Sequence, residues 1–124
     1  MDLSQDGLAT FGDSLVNFIY SLALTRYLGR PSGGRVPNAS LAMALELAGL
    51  RHLAPRRTDK HGLGDAAEAI VAYAFLSGAM GIEEASEIVE RNLSEDVAHF
   101  SRRKEVLGRA FGELLKEIKN RLDL

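Results

Sequence analysis

The chain has 124 residues, 46% of them hydrophobic, which is enough to enclose one core and too few for two ordinary domains, so residues 1–124 are read as one domain. It has no cysteine, which excludes a disulfide framework and any thiolate metal site and leaves carboxylates or imidazoles to hold a metal. A net charge of -2 excludes strong, indiscriminate polyanion binding but says nothing about how the charges are distributed.

From Leu8, the apolar residues Phe11, Leu15, Phe18, Ile19 and Leu22 recur at three- and four-residue steps, which predicts a first helix from about Ser4 to Leu28 with one buried face. Gly29-Arg30-Pro31-Ser32-Gly33-Gly34 ends it in turn-forming residues. Pro37 suits the first turn of a second helix, where its missing amide hydrogen is not needed, and Leu41, Leu45 and Leu50 continue that helix's apolar stripe. Ala54 to Gly64 mixes prolines, glycines and charges without periodicity and reads as a loop. A third helix, about Leu63 to Ala79, is almost continuously small and apolar, which implies burial on more than one side and makes Asp65 and Glu68 anomalies within it. A fourth, from Ile82 to about Asn92, opens with Glu83 and Glu84, whose charge favours a helix N-terminus. Ser94 begins a fifth, with Val97, Phe100, Val106, Leu107, Phe111, Leu114, Leu115, Ile118 and Leu122 as its apolar stripe. No segment shows the alternation of a strand, so the fold class is all-α with about five main helices.

The charges are unevenly placed. Between Arg26 and His61 lie Arg26, Arg30, Arg35, Arg51, Arg56, Arg57 and Lys60, opposed only by Glu46 and Asp59; from Glu83 to Asp96 the balance reverses. Such asymmetry permits a nucleic-acid face on an acidic protein. No apolar run approaches the roughly 20 residues of a membrane span, and Met1-Asp2-Leu3 lacks the basic start of a signal peptide. The expectation is a cytoplasmic protein without a membrane partner.

Asp65-Ala66-Ala67-Glu68 puts two carboxylates three residues apart on one side of a helix, where they can converge on one cation. In an apolar setting two anions repel and take up protons, and Mg²⁺ or Mn²⁺ is a natural way to keep both ionised. The bland alternative for an isolated D-x-x-E is a solvated helix edge, and helix surfaces are commonly charged. Asp13 adds weight, because it follows Gly12, a residue that costs roughly 1 kcal/mol inside a helix. A close helix crossing at Gly12, bringing Asp13 toward Asp65 and Glu68, would account for that cost; an early helix start is the other explanation.

Phe11-Gly12-Asp13-Ser14-Leu15 resembles the core of the ribonuclease III signature, and about fifty residues later Gly64-Asp65-Ala66-Ala67-Glu68-Ala69-Ile70-Val71-Ala72 is similar to that family's second acidic motif. Val36-Pro37-Asn38-Ala39-Ser40-Leu41 resembles the family segment that opens the helix between them. The resemblance covers roughly Leu8 to Gly81. It implies an all-helical endonuclease domain, a homodimer, that cuts double-stranded or structured RNA with Mg²⁺ or Mn²⁺, with Asp13, Asp65 and Glu68 as catalytic and metal-binding acids. Lys60, just before the second motif, would neutralise a phosphate in that setting; the plainer reading is a solvated loop lysine. Arg51, Arg56 and Arg57 complete the candidate RNA-binding set. The chain departs from the bacterial pattern at Ala9, where a glutamate is usual four residues before the signature aspartate, and a compact form is expected, without a double-stranded RNA-binding domain after the fifth helix. In this it is similar to the compact Mini-ribonuclease III members. Ala9 supports a rival reading, a catalytically silent module that binds RNA or a partner protein, and a helical bundle without a nucleic-acid role would be favoured if Arg51, Arg56, Arg57 and Lys60 did not share a face with the acids.

The remaining polar residues read more plainly. His52, His61 and His99 show no metal-ligand spacing and are expected in surface or capping roles. Asn17, one turn after Asp13, serves either the acidic site or a dimer contact. Tyr20, Tyr27 and Tyr73 are expected in the core or an interface.

Overall fold

The structure, a computed structural model, describes residues 2–124. Five α-helices, and no strand among the described residues, make up the fold: α1 Leu8–Leu28, α2 Asn38–Leu47, α3 Lys60–Leu76, α4 Ile82–Arg91 and α5 Phe100–Leu122. The all-α expectation holds. α1 packs against α3 and α4, and α2 against α3 and α5, so α3 and its neighbours form the middle of the molecule. The core is closed by Val16 and Ile19 of α1, Leu41 and Leu45 of α2, Ile70 of α3, Val89 of α4, and Leu107, Phe111, Leu114 and Ile118 of α5. Buried polar groups are satisfied locally. The hydroxyl of Ser40 donates to the carbonyl of Lys104 at 2.7 Å, tying α2 to α5, and Ser86 accepts from Arg26 at 3.1 Å while donating to the Glu83 carbonyl at 2.9 Å.

Several boundaries differ from the sequence reading, each for a local reason. α1 starts at Leu8, not near Ser4, because Gly7 takes a left-handed φ of 84° and because Ser4 turns back onto Asp2, its amide at 2.9 Å and its hydroxyl at 2.6 Å from Oδ1. Pro37 stands just outside α2 in extended conformation, at the N-cap rather than in the first turn. α3 begins earlier than its apolar pattern indicates, at Lys60, because the Asp59 carboxylate accepts from the Gly62 amide at 3.1 Å. At the other end α3 stops at Leu76, short of Ala79, where Gly78 has positive φ. The segment from Ser94 is two elements: a short 3-10 turn over Glu95–Ala98, capped by Ser94, and then α5 after a break at His99. The break takes Phe100 out of the apolar stripe and leaves it 89% exposed.

The glycine-rich stretch after α1 is more than a turn. Asn17, Ser21 and Thr25 form a polar stripe along α1. The Val36 amide donates to Asn17 Oδ1 at 2.7 Å, the Gly34 amide to Ser21 Oγ at 3.2 Å, and the Ser32 amide to Thr25 Oγ1 at 3.0 Å. Four residues of helix advance about 6 Å and two residues of extended chain about 6.6 Å, so anchors spaced by four on α1 meet anchors spaced by two on the strap. Residues 32–36 are thereby laid along α1, and Arg35 is carried to the acidic site.

Candidate active site

The site is built at the crossing of α1 and α3. A Cβ placed on Gly12 would lie 2.1 Å from the Glu68 carbonyl oxygen and 2.5 Å from its carbon, so the two helix backbones touch there and only glycine fits. The close crossing expected at Gly12 is therefore present, and it sets the next residue, Asp13, against Glu68. Glu68 is only 4% exposed, because α3 is buried on nearly all sides at this level. Burial and the facing carboxylate of Asp13 push the Glu68 carboxyl up to about 8, with a further contribution from the negative charge of Asp65. The proton held on Glu68 is hydrogen-bonded to Asp13, and this bond, aided by Arg35 and Asn17, keeps Asp13 below the ordinary aspartate range despite its partial burial.

The other side chains divide around this pair. Arg35 Nη2 lies 3.2 Å from Asp13 Oδ1 and 3.4 Å from Oδ2, and Asn17 Nδ2 lies 3.4 Å from Oδ1. Of the two roles considered for Asn17, it takes the one beside the acids while its oxygen holds the strap. Asp65, one turn before Glu68, is exposed and stands at the edge of the site. Among the described residues no three carboxylate or imidazole side chains converge on a single point, so the tight contact is the Asp13–Glu68 pair with Asp65 at its rim.

Asp65 instead lines a mostly apolar cavity of about 430 Å³ together with Ala9, Ala66, Ala69 and the backbone turn at Leu53, Ala54 and Pro55. The position at which an acid is expected thus opens into this cavity beside Asp65, with only a methyl group at it. The same cavity places the loop that carries Arg56 and Arg57 on the side of Asp65. Arg56, Arg57 and Lys60 are exposed. Arg51 is different: its two Nη atoms donate to the carbonyls of Pro55 at 3.0 Å and Arg56 at 3.1 Å, so its guanidinium shapes the loop. His61, in the first turn of α3, is paired with Asn38 of α2 at 2.8 Å.

Arg35 is the residue of this site that sequence reasoning did not single out; it was counted only within the basic zone. The polar stripe Asn17, Ser21 and Thr25 on an otherwise apolar helix was the available signal.

On the outer side of α1, Phe11 and Phe18 are exposed, at 40% and 55%, and Leu76 of α3 at 63%. Phe11 stacks obliquely on Phe75, their ring centres 6.2 Å apart. Among the described residues no helix is long and apolar enough to cross a membrane. Comparison with curated proteins gives no match. Residues 6–124, nearly the whole chain, match the model of the family described as Ribonuclease III. With both acidic motifs inside that match and their helices in contact, the chain belongs to the ribonuclease III family.

Proposed function

We propose that the protein is a metal-dependent endoribonuclease that hydrolyses phosphodiester bonds in double-stranded or structured RNA. The observation that carries this reading is the backbone contact between Gly12 and Glu68, which holds the acids of two distant motifs of a ribonuclease III chain face to face. Two facing hard oxygen donors, one of them buried and reluctant to ionise, with Asp65 at their rim, suit a divalent cation better than they suit one another. Asp13, Asp65 and Glu68 would hold Mg²⁺ or Mn²⁺. When bound, such an ion polarises the phosphodiester and supplies an acidified water at neutral pH.

The chain's own residues have defined parts. Asp13 is already ionised and is oriented by Asn17; Glu68 must give up its proton before it can serve as a ligand; Arg35 neutralises Asp13 until then. In this reading the exposed Arg56, Arg57 and Lys60 would meet backbone phosphates, and Arg51, which bonds the loop carbonyls, would support them. The exposed Phe11, Phe18 and Leu76 fit a second copy of the chain, which makes the working form a homodimer. The place of action we assign is the cytoplasm.

The test is incubation of the purified protein with labelled duplex RNA, with and without Mg²⁺ or Mn²⁺. Metal-dependent cuts that vanish in Asp65→Asn and in Glu68→Gln are expected; uncut RNA in the wild type would sink the enzyme reading. The second reading, a silent module that binds RNA or a protein, draws on Ala9 and its apolar cavity. Ala9→Glu discriminates: if the wild-type site is weak for want of an acid beside Asp65, this substitution raises metal-dependent cleavage, and binding without cleavage in both proteins assigns the silent module. For the dimer, light scattering behind gel filtration is expected to give twice the chain mass, falling to one chain in Phe18→Glu.

A further inference from the structure

Arg35 also lines another cavity, of about 320 Å³, between the strap, α1 and the start of α5, to which Asp13 does not contribute. Its lining includes the guanidinium-bearing residues Arg30, Arg35 and Arg103 and no carboxylate. Arg30 has no hydrogen-bond or ion-pair partner among the described residues, and Arg103 uses only Nε, which donates to the Val97 carbonyl at 2.8 Å and leaves both Nη groups uncommitted. The walls are the ring of Tyr20 and the side chains of Leu28 and Val97. Arg30 and both Nη groups of Arg103 stand against an apolar wall without a counter-charge, while Arg35, paired with Asp13 through Nη2, completes the positive lining on a chain whose net charge is -2. Guanidinium groups bind phosphate oxygens through paired N–H donors, and a semi-enclosed site strengthens those bonds.

We propose that this cavity is a phosphate-binding site in which Arg30, Arg35 and Arg103 hold one backbone phosphate of the RNA, separate from the phosphate being cut. The RNA identity of the ligand rests on the nuclease reading; the preference for a phosphate group rests on the cavity itself. Because Arg35 faces both this cavity and Asp13, a phosphate bound here draws on the same guanidinium that neutralises Asp13.

Two measurements decide it, both on the full chain. Titration with inorganic phosphate is expected to shift the Arg103 Nε–H resonance saturably, unlike chloride at equal ionic strength, and the shift is lost in Arg30→Glu, a substitution that removes no contact of the folded chain. Absence of a phosphate-specific shift overturns the site. Binding of a short RNA duplex to the Glu68→Gln protein in EDTA is then followed against salt. Arg30→Ala with Arg103→Ala is expected to weaken binding about 10-fold at low salt. The slope of log affinity on log salt should fall by about one, the value for a single lost phosphate, while Arg30→Lys with Arg103→Lys keeps the slope. Unchanged affinity and slope in the alanine pair, with the phosphate shift intact, overturn the RNA assignment in favour of a small phosphorylated ligand. A wild type that binds no duplex at low salt sinks the nuclease reading instead, and the phosphate titration alone then decides the cavity.

Discussion

The α1–α3 crossing and the α4–α5 seam handle acidic side chains in opposite ways. At the seam, Arg121 of α5 pairs with Glu84 of α4, bonds Glu117 at 3.1 Å and donates to the Ala79 carbonyl at 3.0 Å, and its pairing holds the Glu84 carboxyl below the ordinary range. At the crossing, Glu68 faces Asp13 and Asp65, is shut off from water, and keeps its proton near neutral pH. One arrangement supports the fold. The other is tolerated by it, and such a perturbed setting is where functional carboxylates are commonly found.

The widest gap between the two regions is opened by Gly12→Ala. Its methyl group would meet the Glu68 backbone, which cannot turn aside as a side chain can, so a loss of about 3 kcal/mol or more in urea unfolding is expected, with any nuclease activity lost as well. Glu68→Gln should act in the other direction on stability. A carboxyl raised from 4.5 to about 8 contributes stability that is full below pH 4.5 and is lost as pH rises through 8. In EDTA the wild type should therefore lose of the order of 3 kcal/mol between pH 5 and pH 8, at about 1.4 kcal/mol per pH unit less relaxation of the site, while Glu68→Gln loses little. A wild-type stability that is flat over this window would show that the pair is not strained. At the seam, Arg121→Met should lower stability far less than Gly12→Ala in the same unfolding measurement, and NMR titration should find the Glu84 carboxyl returned upward toward the ordinary glutamate range. Arg109→Ala, which breaks the exposed pair with Glu105 on the outer face of α5, should change the melting curve by less than about 0.5 kcal/mol.

Much of this arrangement was legible in the residues. Helical periodicity gave the all-α class, and Gly12, which no helix interior favours, pointed to the crossing that sets Asp13 against Glu68. Helix ends were less legible because they depend on single hydrogen bonds: the Asp59 cap moves the start of α3 ahead of its first apolar residue, and the break at His99 interrupts a stripe that periodicity alone would run straight through. The strap was the least visible element. Gly29 to Val36 has no periodicity of its own, and its order comes from three α1 side chains that signal only once the two segments are laid together. Arg35 was missed with it. Nor does spacing show that Arg51, among four basic residues of similar appearance, spends its guanidinium on the loop.

The matched pitch of strap and helix also governs which changes in chain length the molecule can absorb. A residue inserted between Gly29 and Ser32 falls outside the ladder and can bulge into solvent. One inserted between Gly34 and Val36 inverts the backbone after the middle anchor, so that either the bond to Asn17 is broken or Arg35 is turned from Asp13. Variation in linker length should therefore be confined to the three residues nearest the end of α1.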